Sequence, residues 1–114
     1  MPPAPTLPSA LEPVRFDDAA AAAFIDACRR AAAVLEEALA GRGRAAAVAR
    51  KEWRGSFRDR FDDELAVLDG EASDLVTDLR RAAATIGMAR DAARVENASR
   101  REARILWQRS QLTG

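Results

Sequence analysis

Apolar and small side chains recur at steps of three and four along two stretches of this chain, the spacing that places them on one face of an α-helix. In the first stretch they fall at Phe24, Cys28, Ala31, Leu35, Leu39, Ala46, Ala49 and Trp53, with Gly43 filling the gap near the right phase. Asp17 or Asp18 supplies an N-cap, and the alanine run that follows favours helix strongly. Gly41 and Gly43 each cost about 1 kcal/mol relative to alanine in a helix interior. Arg44 to Glu52 is again alanine-rich and carries no turn signal, so the helix is expected to run through both glycines. The pattern restarts after Trp53-Arg54-Gly55. Ser56 and Asp59 have the spacing of a capping box. Phe61, Leu65, Leu68, Ala72, Leu75, Leu79, Ala82, Ile86, Ala89 and Ala93 then alternate steps of four and three without a slip. That is a heptad seam, the pattern of a left-handed supercoil. Gly70 and Gly87 lie off this seam. The second helix is expected to pass Trp107 and end near residue 110, with residues 111–114 frayed.

Residues 1–16 read differently. They hold all five prolines, which remove backbone donors and push their predecessors out of the helical region. This is a proline-rich extended leader that either stays loose or lies along the helices. Ser9 to Glu12 allows one turn at most before Pro13. The expected organisation is therefore a leader over 1–16, a helical hairpin over 17–110 with its turn near 53–56, and a frayed end over 111–114.

Composition supports helices and removes most chemistry. Twenty-seven alanines, 32% charged residues and few aromatics suit an all-α chain and not a sheet. Absence of histidine takes away the commonest general base and metal ligand. A single cysteine, Cys28, allows no internal disulfide and reads as a small buried hydrophobe on the seam. No nucleophile–base pair is evident, so the chain is read as non-enzymatic, with no cofactor, metal or small-molecule substrate. The first sixteen residues lack the basic start of a signal peptide. The longest apolar run, Ala19 to Ile25, is too short to span a bilayer, so no membrane insertion is expected.

Charge says how the helices should meet. The net charge is zero, but residues 1–28 sum to −3, 29–54 to +4, 56–79 to −6 and 80–114 to +5. Folding the chain back at Gly55 lays each basic block beside an acidic one. An antiparallel hairpin satisfies both the seam and the charges, each exposed pair contributing under about 1 kcal/mol. The arms are unequal, about 55 Å from Asp17 to Trp53 against nearly 80 Å from Ser56 to Trp107 at the helical rise of about 1.5 Å per residue. The end of the second helix should overhang, basic and open to a partner. Ile25, Val34, Val48, Val67 and Val76 widen the apolar stripes beyond one helix pair, so dimerisation into a four-helix bundle is expected.

Trp53-Arg54-Gly55 between the two helices, with Phe61 eight positions after the tryptophan, resembles the WXG (ESAT-like) family of small helical-hairpin proteins of bacterial type VII secretion. The resemblance extends from residue 17 to about residue 100. It implies that Trp53 and Gly55 form the turn motif, with Phe57 and Phe61 packing there, while the three-and-four spacing puts Phe24, Leu35, Leu68, Leu75, Leu79 and Ile86 in the helix seam. It also implies a secretion substrate or pairing partner that binds itself or a second WXG-type protein, with a secretion ATPase as a further partner. Such a protein is cytoplasmic before export and leaves without a cleavable signal peptide. Exported members commonly carry a tyrosine followed four residues later by an acid. This chain has no tyrosine, and Trp107 with Gln111 is the nearest equivalent, a degenerate export or partner-recognition site.

Two other clusters have plainer readings. Asp59, Asp62, Asp63, Glu64 and Asp69 lack the spacing of a calcium loop and suit an acidic, solvated first turn. Arg90, Arg94, Arg100, Arg101 and Arg104 are interrupted by Asp91, Glu96 and Glu102, without interleaved aromatics for base stacking. Nucleic-acid binding by an arginine-rich cytoplasmic helical protein is the alternative function, and salt-dependent retention of DNA would distinguish it.

Overall fold

The computed structural model describes residues 5–113, and those residues form an elongated helical hairpin. A single 3₁₀ turn at Ser9–Leu11 precedes two α-helices, α1 (Asp18–Arg50) and α2 (Ser56–Thr113). No strand occurs among the described residues. Asp17 is the N-cap of α1, its carboxylate accepting from the Ala20 N–H at 2.9 Å. α1 crosses Gly41 and Gly43 unbroken, as the alanine-rich flanks predict.

The turn is short. The amides of Lys51, Glu52 and Trp53 bond back to the carbonyls of Val48 and Ala49, closing the last turn of α1. Gly55 then takes φ +73°, the left-handed region open to glycine at little cost. The Asp59 N–H bonds the Gly55 carbonyl at 3.2 Å, so Gly55 and not Ser56 occupies the N-cap position of α2. Asp59 still sits in the first turn, where its charge suits the helix dipole. At its other end α2 continues as helix through Thr113, past residue 110, and the Thr113 hydroxyl bonds the Arg109 carbonyl. Gly114 and residues 1–4 lie outside the described residues.

Four cross-helix ion pairs step along the hairpin and set its antiparallel register. They are Asp18–Arg94 at 3.3 Å, Glu36–Arg80 at 2.7 Å, Arg42–Asp69 at 3.1 Å and Arg50–Asp62 at 2.6 Å. The first, third and fourth join the opposite-sign blocks seen in the sequence. All are partly solvated, so they orient the helices more than they stabilise them.

The core is thin. Ile25, Cys28 and Ala83 form its buried centre, with Leu79, Ala82 and Ile86 packed against it. Gly87 joins this region, since a Cβ placed on it would meet the Ile25 Cδ1 at 3.9 Å. Ala21, Ala32, Ala46, Leu65 and Val76 complete the buried set, and among the described residues no large side chain is fully buried. The molecule measures 91 × 18 × 17 Å.

Candidate functional site

The turn end is built as its sequence suggests. Trp53 is half-buried and meets two rings edge-on, Phe57 at 5.2 Å and Phe61 at 4.8 Å between centroids. Edge-to-face pairs of this kind contribute about 0.5–1.5 kcal/mol each beyond their area. Phe61 is half-buried, whereas Phe57 remains 63% exposed.

The seam differs from the sequence expectation by one position in alternate turns. The inward positions of α2 are Asp62, Leu65, Asp69, Ala72, Val76, Leu79, Ala83, Ile86, Arg90 and Ala93, each buried or half-buried. Leu79 and Ile86 lie where expected, and Leu35 is half-buried on α1. Phe24, Leu68 and Leu75, expected in the seam, are instead 46%, 53% and 49% exposed. On α1 the inward line is Ala21, Ile25, Cys28, Ala32, Leu35, Leu39, Arg42, Ala46, Ala49 and Trp53, so Ile25 and Ala32 displace Phe24 and Ala31. The physical reason is the match across the pair: Ile25 and Cys28 pack with Ala83, Leu79 and Ile86, and the cross-helix ion pairs hold the helices in that register. Asp62 and Asp69 enter the seam because Arg50 and Arg42 meet them there.

The displaced side chains share one side of the hairpin. Relative to the seam, positions 24, 31, 38 and 45 of α1 and 61, 68, 75, 82 and 89 of α2 are offset by one step in the same sense. In an antiparallel pair of right-handed helices that offset brings both rows to the same surface. The adjoining row of α1 is Ala20, Ala27, Val34, Gly41 and Val48, again without a charge. Val34 and Val48 are about two-thirds exposed. The register sets Leu75 beside Ala38 and Leu68 beside Ala45. Glu64, Glu71 and Asp78 edge this face on α2. The opposite surface carries the Asp18–Arg94 and Glu36–Arg80 pairs.

The C-terminal end departs further from expectation. Residues 95–113 run about 28 Å past Asp18 at 1.5 Å per residue, but this overhang is not bare. The leader lies along it, held by Asn97, Arg100 and Arg104. Trp107 is half-buried on the same inward line, while Ile105 and Leu106 are exposed. Gln111, one turn on, is exposed. Asn97, Arg100 and Arg104 were legible only by extending the 3–4 spacing through polar residues, a step that a search for apolar periodicity omits.

Among the described residues no cluster of three metal-ligating side chains occurs, and no helix is long and apolar enough to cross a membrane. Cys28 is free and buried. Comparison with protein-family models, with curated proteins and with solved structures gives no match to this chain.

Proposed function

We propose that this chain is a non-enzymatic interaction module of the WXG type, whose uncharged face packs against a second hairpin to form a four-helix bundle. The second hairpin is another copy or a second WXG-type protein, and the resemblance makes the assembly a type VII secretion substrate or the escort of one. The observation that carries this reading is the row of Phe24, Leu68 and Leu75 left half-exposed beside an uncharged α1 surface from Ala20 to Val48. A face of that kind has no partner inside a two-helix hairpin, and contiguous apolar surface marks association. Total exposed area supports it. The chain exposes 8721 Å², against about 6,100 Å² for a compact monomer of this mass by the usual size scaling.

Light scattering on the purified protein, alone and mixed with a Trp-x-Gly protein encoded nearby, tests the bundle. A dimer mass in either mixture is expected, and Leu68→Glu with Leu75→Glu should return it to monomer while helicity persists. A stable monomer under both conditions would overturn the reading.

A further inference from the structure

Past Asp18 the inward line of α2 continues as Asn97, Arg100, Arg104 and Trp107, and the leader takes the position that a longer α1 would fill. Asn97 satisfies both main-chain groups of one residue. Its Oδ1 accepts from the Val14 N–H at 2.7 Å and its Nδ2 donates to the Val14 carbonyl at 3.2 Å. Arg100 donates to the Glu12 carbonyl at 2.8 Å and Arg104 to the Leu11 carbonyl at 2.7 Å. Three side chains at helical steps of three and four thus hold the leader by its backbone, from Leu11 at the end of its 3₁₀ turn to Val14. None of these bonds uses a leader side chain, so the polar contacts read main chain, while Leu7, Leu11, Val14 and Phe16 of the leader are half-buried and add apolar packing. Pro8 and Pro13 fix φ on either side of that turn and lower the entropy lost when the leader docks.

Charge shows what the leader does not supply. Residues 5–16 carry one acid and one base, Glu12 and Arg15, and lie against the +5 block of residues 80–114. Arg100 is shared with Glu96 at 2.8 Å. Arg104 bonds only the neutral Leu11 carbonyl, and among the described residues no carboxylate reaches it. A carboxylate presented to that guanidinium adds the attraction of opposite charges and can accept from two of its N–H groups at once, which a single carbonyl does not.

We propose that the inward face of α2 from Asn97 to Trp107 is a binding groove for an extended, acidic segment of a partner protein, and that the leader is its displaceable intramolecular occupant. The backbone bonds place the incoming strand, Arg104 selects for a carboxylate, and the leader keeps the groove covered until such a segment competes it away. This groove is separate from the uncharged face, and its occupancy does not depend on dimerisation.

The test uses the full chain, a full-chain Val14→Pro variant that lacks the N–H given to Asn97, and two fluorescein-labelled peptides. One peptide has the sequence of residues 5–16, and the other carries Ala10→Glu. Fluorescence anisotropy at low salt should show Val14→Pro binding either peptide about ten-fold more tightly than the unaltered chain, as expected if the strap leaves the groove open about a tenth of the time. The acidic peptide should bind more tightly than the neutral one, and the difference should shrink at high salt. Adding Asn97→Ala and Arg104→Ala to Val14→Pro should abolish binding. Equal binding by Val14→Pro and the unaltered chain, or binding retained without Asn97 and Arg104, would overturn the groove. Equal affinity for the two peptides would overturn its acidic preference. Amide exchange gives an independent readout on the unaltered chain. The Val14 N–H should be protected there and lose protection in Asn97→Ala, and unprotected exchange in the unaltered chain would remove the strap.

Discussion

Gly55 has open space where a Cβ would stand, so its role in the turn is conformational and not a matter of close approach. Placing a β-branched residue at φ +73° stores backbone strain of about 1–3 kcal/mol. Gly55→Val should therefore lower stability by more than about 1 kcal/mol in urea unfolding, and Gly55→Asn by less, because asparagine tolerates the left-handed region. An unchanged melting temperature for Gly55→Val would remove that role. The rings beside it separate by burial. Phe61→Ala should cost more than Phe57→Ala, since Phe61 is half-buried and Phe57 is 63% exposed. Thermal unfolding followed by circular dichroism distinguishes them, and equal losses would mean that the edge-on contact, not burial, carries the packing. The Trp-x-Gly turn was readable because the apolar pattern restarts after Gly55, whereas it continues in phase through Gly41 and Gly43.

At the scale of the helix the apolar stripes lie on the elements their spacing predicts, displaced in phase. Leu65, Ala72, Leu79, Ile86 and Ala93 belong to both the expected and the observed seams, whereas Leu68 and Leu75 yield their places to Asp69 and Val76. Periodicity locates a stripe to within one residue on either side, and here the stripe is wider than the contact. Which edge faces inward depends on the neighbouring helix, and α1 offers small residues and two arginines there. The leader contact was illegible for a related reason. Asn97, Arg100 and Arg104 occupy seam positions but are polar, and their partners are backbone groups that no side-chain pattern reveals. The glycines inside the helices make a further test. A Cβ on Gly43 would meet nothing within 4 Å, and one on Gly87 would make ordinary contact with Ile25. Gly43→Ala and Gly87→Ala should each stabilise the fold by up to about 1 kcal/mol from helix propensity alone. A loss of stability in Gly87→Ala would show that α1 and α2 approach there more closely than this geometry allows.

The whole molecule is a rod with a radius of gyration of 26.5 Å, about twice the 13 Å expected of a compact chain of this length. Its length follows from α2 alone, which at 58 residues spans about 87 Å. Small-angle scattering should therefore return a maximum dimension near 91 Å, and a side-by-side bundle should keep that length while thickening the cross-section. A dimer much longer than one hairpin would point to end-to-end association and away from the uncharged face. Raising salt should screen the partly solvated cross-helix ion pairs yet lower the thermal midpoint only slightly, because each contributes under about 1 kcal/mol.

The sequence by itself determined two long helices, the turn at Trp53-Arg54-Gly55 and the antiparallel order of the charge blocks. Helix propensity, glycine's conformational freedom and charge balance are properties of local segments, and they act before any two helices touch. Only the tertiary structure decided which edge of each stripe faces inward, which large apolar side chains are left outside, and where the leader lies. Those outcomes depend on which side chains meet across the pair, and Ile25, Cys28 and Ala83 meet only once one helix lies beside the other. The basic end of α2, open when read from helix lengths, is covered because the leader continues the line of α1 and offers its carbonyls to Arg100 and Arg104.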